Sequence, residues 1–161
     1  MRAARGALLL GADGVPRPTI FAEMSALATA TGALNLGQGF PDEDGPAEVI
    51  EAAREAIAAG VNQYPPGLGM PVLREAIARH QHRFYGLDVD PEREVLVTAG
   101  ATEALAATLL AFVDRGDEVV TLEPSYDSYG GIIALAGARH VTVPLLAPDF
   151  QPDPERLRAA V

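Results

Sequence analysis

Val95-Leu96-Val97 runs through Thr98-Ala99-Gly100-Ala101-Thr102 into Glu103-Ala104-Leu105. An apolar strand that passes through small residues into a helix leaves the first amides of that helix, here Gly100, Ala101 and Thr102, facing outward as an anion site. Gly100 lets an oxygen approach the backbone closely, and the Thr102 hydroxyl adds a further donor. The same pattern also describes a strand-to-helix turn that binds nothing. It is neither a Walker A loop, which ends in Gly-Lys-Ser/Thr, nor a Gly-x-Gly-x-x-Gly dinucleotide loop. Glu103 is expected to point away from any bound anion, which it would repel.

Glu123-Pro124-Ser125-Tyr126-Asp127-Ser128-Tyr129 follows a second apolar run. In open α/β sheets ligands bind beyond the carboxyl ends of the strands, where the Tyr126 ring is placed to stack on a flat heteroaromatic ring. A tyrosine that covers the core with its hydroxyl in water fits the same residues. Asn35-Leu36-Gly37-Gln38-Gly39-Phe40-Pro41 and Asn62-Gln63-Tyr64-Pro65-Pro66-Gly67 read as loops, and composition alone assigns them no chemistry. His80 and His82 lie two apart in a helix, on different faces, and His140 sits alone in a strand, so no metal site is expected.

The elements that must hold these residues follow from periodicity and punctuation. Thr19 to Thr31 carries Ile20, Met24 and Leu27 at helical spacing, with Gly32 placed to end the helix. A second helix starts at Pro46, with Val49, Ala53 and Ile57 as its stripe, and Gly60 closes it. The run Asp42-Glu43-Asp44 is expected to cap it. A third helix buries Leu73, Ile77 and Phe84 and ends at Gly86. From Pro91 the pattern becomes strand 94–98, helix 102–113, strand 118–122, helix 125–136 ended by Gly137, strand 140–143, and a helix from Asp153. Gly130-Gly131 weakens the helix it occupies by ~1 kcal/mol per glycine relative to Ala. Strands alternating with helices predict an α/β fold with largely parallel strands. Three strands are few for a parallel sheet, and the last helix runs uncapped to Val161, so the chain reads as truncated.

Composition narrows the classes. The 161 residues are 48% hydrophobic, enough for a core rather than a disordered chain. Every one of the 12 basic residues is an arginine, set against 22 acidic residues for a net charge of −10, which excludes a sequence-independent grip on nucleic acid or an anionic membrane. Without cysteine there is neither a disulfide framework nor a metal-thiolate site. Arg2 and Arg5 precede the run Ala7-Leu8-Leu9-Leu10, but that run is too short for a secretory leader and Asp13 follows closely. No stretch approaches the ~18 apolar residues of a membrane span, and the expected compartment is the cytoplasm.

Taken together, the segments beginning at Thr19, Asn35, Asn62, Val97 and Glu123 resemble, in order and spacing, the fold-type-I class I/II aminotransferases that use pyridoxal phosphate. The branch is that of the kynurenine, methionine and N-succinyldiaminopimelate aminotransferases, and the resemblance runs from Thr19 to the end. It implies a partial large domain of the fold-type-I transferase fold, divided as an atypical segment 1–18, an N-terminal helix and active-site loop 19–45, and a truncated cofactor-binding large domain 46–161. Met1 to Pro18 departs from the family's usual entry.

The resemblance further implies that Gly100, Ala101 and Thr102 bind the cofactor phosphate and that Tyr126 stacks on the pyridine ring. Tyr64 is implied to reach the cofactor phosphate of the other subunit of a homodimer, and Gly39 to lie beside the substrate carboxylate. The substrates implied are an amino acid and a 2-oxo acid, in amino acid metabolism. The family's Schiff-base lysine, the aspartate at the pyridine nitrogen and the carboxylate-binding arginine belong to later motifs without counterparts here. With no lysine the chain has no catalytic residue of its own and is expected to be inactive alone. Two other readings are a non-catalytic pyridoxal-phosphate or phosphate-binding regulatory module, and part of a pyridoxal-phosphate-dependent C–S lyase on the same fold.

Overall fold

The computed structural model describes residues 1–39, 41 and 43–161. Phe40 of the first glycine-rich loop and Asp42 of the acidic run therefore lie outside the described residues. The chain divides into two compact units, one formed by Met1–Gln38 with Gly100–Val161 and the other by Gly39–Ala99.

The first unit is organised around a β-α-β element. Strand β1 (Glu118–Glu123) and strand β2 (Arg139–Pro144) pair in parallel with Glu118 opposite Arg139 and Glu123 opposite Pro144. Between them runs the helix here called α6 (Ser128–Ala136), ended by Gly137 in the left-handed conformation. Parallel neighbours need such a crossover, because no tight turn can join them. The first unit's buried hydrophobic side chains are Ile132 and Ile133 of α6 and Val143 of β2. Thr121 Oγ1 and His140 Nε2 lie 2.8 Å apart across the strand pair, which gives His140 a neutral partner rather than a metal-binding one.

The same unit contains α1 (Arg2–Gly6), α2 (Ile20–Thr31), α5 (Ala101–Phe112) and α7 (Pro154–Ala160). Helix α2 has the predicted boundaries: the Thr19 side chain accepts from the Ala22 amide and Gly32 closes the helix at φ 68°. Helix α1 was not foreseen. It packs on α6, and this contact explains Gly130, since a Cβ there would overlap the Gly6 carbonyl oxygen. Local propensity is sacrificed for close helix approach. Gly130→Val should therefore detach α1 from α6, seen as faster amide exchange across residues 2–9 with β1 and β2 unchanged; unchanged exchange there would rule the contact out.

The second unit holds α3 (Ala47–Ala58) and α4 (Pro71–Tyr85), the latter ended by Gly86 at φ 65°. Two expectations are corrected here. Residues 94–98 form no strand: the Val97 amide donates to Leu68 O at 3.1 Å, but no neighbouring strand runs alongside to complete a ladder. The sheet among the described residues thus has two strands rather than three. The stripe of α4 is not buried, with Leu73 44% and Phe84 60% exposed, while Arg74 beside it is only 8% exposed. Periodicity identifies the face that favours burial, not what covers it. The N-cap of α3 is Pro46, and Glu48 is the acid of its first turn; the capping expectation for the acidic run falls partly on Asp42, outside the described residues.

Candidate functional site

Helix α5 opens at Gly100, whose φ of 86° and ψ of 170° belong to a region that side chains rarely enter. The N-cap position is glycine, and Ala101 and Thr102 occupy the exposed first turn. Among the described residues, a Cβ built on Gly100 would meet no atom within 4 Å. A helix N-terminus that begins at glycine, with its first turn exposed, suits an anion. Glu103, also in the first turn, is exposed.

Tyr126 follows the end of β1 and is 52% exposed. Its ring meets Tyr129 edge to face, with centroids 5.9 Å apart. Tyr129 in turn lines a 450 Å³ apolar cleft with Ala101 and Ala104 of α5, Thr121 of β1 and Ile132 of α6. Ala101 at the start of α5 and Tyr129 thus line one cleft of one unit, with Tyr126 against the Tyr129 ring. Sequence reasoning found Tyr126 and missed Tyr129, although a second aromatic three residues on, in the first turn of a helix, was the available signal.

Tyr64 and Gly39 belong to the other unit. Tyr64 is 99% exposed, and a Cβ on Gly39 would meet nothing of this chain within 4 Å. That unit also has an open 630 Å³ hollow bordered by Arg79, His82, Asp88, Asp90 and Glu94. His82 Nδ1 is 2.8 Å from Asp88 Oδ1, and Glu94 accepts from the Asp90 amide. His80 instead lies against Phe84, with ring centroids 4.7 Å apart. Among the described residues no group of three His, Asp or Glu side chains is placed to hold a metal ion.

Against known proteins, the family described as aminotransferase class I and II matches residues 31–161. The chain belongs to this family. A probable N-succinyldiaminopimelate aminotransferase DapC of Mycobacterium tuberculosis is 61% identical over 146 residues, covering 89% of this chain and 36% of that protein. The methionine aminotransferase of Escherichia coli is 50% identical over 135 residues, covering 84% of this chain and 35% of that one. The solved N-succinyldiaminopimelate aminotransferase of Mycobacterium tuberculosis superposes with a TM-score of 0.85 at 60% identity, over 89% of this chain and 38% of that one. This aminotransferase chain thus spans little more than a third of the length of the relatives it matches. Its α/β class and its place as part of the fold-type-I fold agree with the reading of the sequence.

Proposed function

We propose that this chain is the N-terminal part of a pyridoxal-phosphate-dependent aminotransferase that moves an amino group between an amino acid and a 2-oxo acid. What carries the reading is the N-terminus of α5 behind Gly100, with Ala101 on the same cleft as Tyr129, the ring that Tyr126 meets edge to face, in a chain of this family. The residues present fit the cofactor: an anion-seeking helix end, open space beside Gly100, and an exposed ring within one unit. Ala101 and Thr102 would bind the phosphate through their amides and the Thr102 hydroxyl, with Gly100 admitting the oxygens. Tyr126 would hold the pyridine ring by its face. When bound, the cofactor supplies an electron sink next to the substrate's α-carbon, and the protein supplies orientation.

Gly39 would leave room for the substrate carboxylate, and Tyr64 would reach the phosphate held by the other subunit of a homodimer. The division into an atypical 1–18, an N-terminal helix and active-site loop at 19–45 and a cofactor-binding large domain from 46 is part of the same proposal. The cytoplasm is the proposed compartment; among the described residues no helix is long and apolar enough to cross a membrane. None of the 161 residues is a lysine, so the group that holds the cofactor covalently and moves the α-proton must come from elsewhere in the whole protein. The chain alone is expected to be inactive. Neither the regulatory-module reading nor the lyase reading has an observation of its own in its favour.

The test is to supply the full-length protein with pyridoxal phosphate, a panel of amino acids and a 2-oxo acid acceptor. Acceptor-dependent formation of a new amino acid is expected, with none from the 161-residue chain. Release of ammonia without need of an acceptor would replace this reading with the lyase.

A further inference from the structure

Among the described residues Arg74 is the buried charged side chain, and it forms no ion pair there. Its guanidinium is used on backbone instead: Nε donates to Gly69 O at 3.2 Å and Nη1 donates to Pro91 O. Burying a guanidinium without a carboxylate is unfavourable, so the residue stands where a forked donor is needed to join two chain segments. Those segments are the end of the 62–69 loop and the approach to residues 94–98.

The joint is reinforced on both sides. The Gly69 amide donates to Pro66 O at 2.8 Å, and the Val97 amide donates to the adjacent Leu68 O. Gly69 has φ 96°, and a Cβ there would stand 2.5 Å from Val97 Cγ2, so Gly69 is held against Val97 at van der Waals range. At the other end of the loop the Val61 amide donates to Ala56 O, and Asn62 Nδ2 donates to Ile57 O at 3.3 Å. Tyr64 lies between these anchors, exposed, and is followed by Pro65 and Pro66, which restrict its backbone as well as their own.

We propose that Arg74 is a positioning residue for Tyr64: by clamping Gly69 to Pro91 it fixes the loop that presents the tyrosine. This rests on the reading of Tyr64 as a ligand of the cofactor phosphate across the dimer. Arg74 acts through the loop and touches no reacting atom. A lysine at this position has the charge but not the fork, and would serve one carbonyl at a time.

The test is a double-mutant cycle in the full-length holoenzyme, reading pyridoxal-phosphate affinity. Arg74→Met should weaken binding about tenfold when Tyr64 is present, Arg74→Lys less, and neither should add to the loss in a Tyr64→Phe background. Equal losses in both backgrounds would assign Arg74 a general structural role and overturn the proposal. Amide exchange at Val97 reports the clamp without reference to the cofactor, and should speed up in Arg74→Met and in Arg74→Lys. Unchanged exchange overturns the clamp even if affinity falls. If Tyr64→Phe leaves affinity intact, the reading of Tyr64 fails while faster Val97 exchange still establishes the clamp. Should Arg74→Met fail to fold, the Arg74→Lys cycle decides on the same criteria.

Discussion

Heated on its own, the 161-residue chain should lose its structure without a cooperative transition and give only a weak near-ultraviolet circular dichroism signal. The reason is the distribution of its apolar side chains. Among the described residues the buried hydrophobic ones are Ile132, Ile133 and Val143, all in the first unit. Among its described residues the second unit buries no large apolar side chain: Val49, Ile57, Leu73 and Phe84 are 63%, 63%, 44% and 60% exposed. A domain of about 150 residues ordinarily buries roughly 70% of the surface its unfolded chain exposes, and cooperative melting depends on such a shared core. Strand β1 compounds the deficit, for it pairs with β2 alone although its middle residues, Val119 to Leu122, have the apolar character of a strand covered on both faces. Calorimetry with near-ultraviolet dichroism checks the expectation, and a single sharp transition with matching calorimetric and van't Hoff enthalpies would overturn it. The full-length protein should melt cooperatively.

The pattern of what the sequence disclosed has the same origin. Helix ends are local devices, and they were legible: Thr19 and Gly32 bound α2, Gly86 ends α4, and Gly137 ends α6. The parallel pairing of β1 and β2 was likewise implied by two apolar runs separated by a helix. Residues 94–98 failed as a strand because a strand exists only through its neighbours, and pairing is not written into a five-residue run. Helix α1 escaped notice because its five residues carry no periodic signal, and its partner is a pair of glycines that reads locally as helix weakness. Composition puts an arginine such as Arg74 on the polar face of a helix; only the positions of Gly69 O and Pro91 O reveal that it points inward. Of the candidate site, the Gly100 turn was legible from the small residues that precede a helix, and Tyr126 from the strand-to-helix junction after β1. The edge contact from Tyr129 depended on a tertiary arrangement.

Replacing Gly100 should have the largest effect on cofactor affinity of any substitution in this chain, because two separate costs fall on one residue. Its φ of 86° with ψ of 170° lies where only glycine is at ease, and holding another residue there costs about 1–3 kcal/mol. The open space beside it, clear of the described residues to 4 Å, is the space a phosphate oxygen needs, so a methyl group there obstructs the loaded protein beyond the strain it adds to both states. In the full-length protein Gly100→Ala should therefore weaken pyridoxal-phosphate binding by roughly a hundredfold, the scale of losing a hydrogen-bonded contact to a charged group.

Backbone strain alone predicts a different result, and Gly116 separates the two. It has φ 99° in the turn before β1, and the space around it is equally open. Gly116→Ala should lower the melting temperature of the full-length protein while leaving cofactor affinity within about twofold, since strain at a turn acts on folding rather than on a distant ligand. Equal losses of affinity in the two variants would mean that Gly100 matters only for the fold. Thr102→Val, which removes the hydroxyl and leaves the amide, should fall between wild type and Gly100→Ala, because one hydrogen bond to a charged group contributes about 1.5–3 kcal/mol. That order, Gly100→Ala weakest and Gly116→Ala unchanged, follows only if the N-terminus of α5 holds the phosphate.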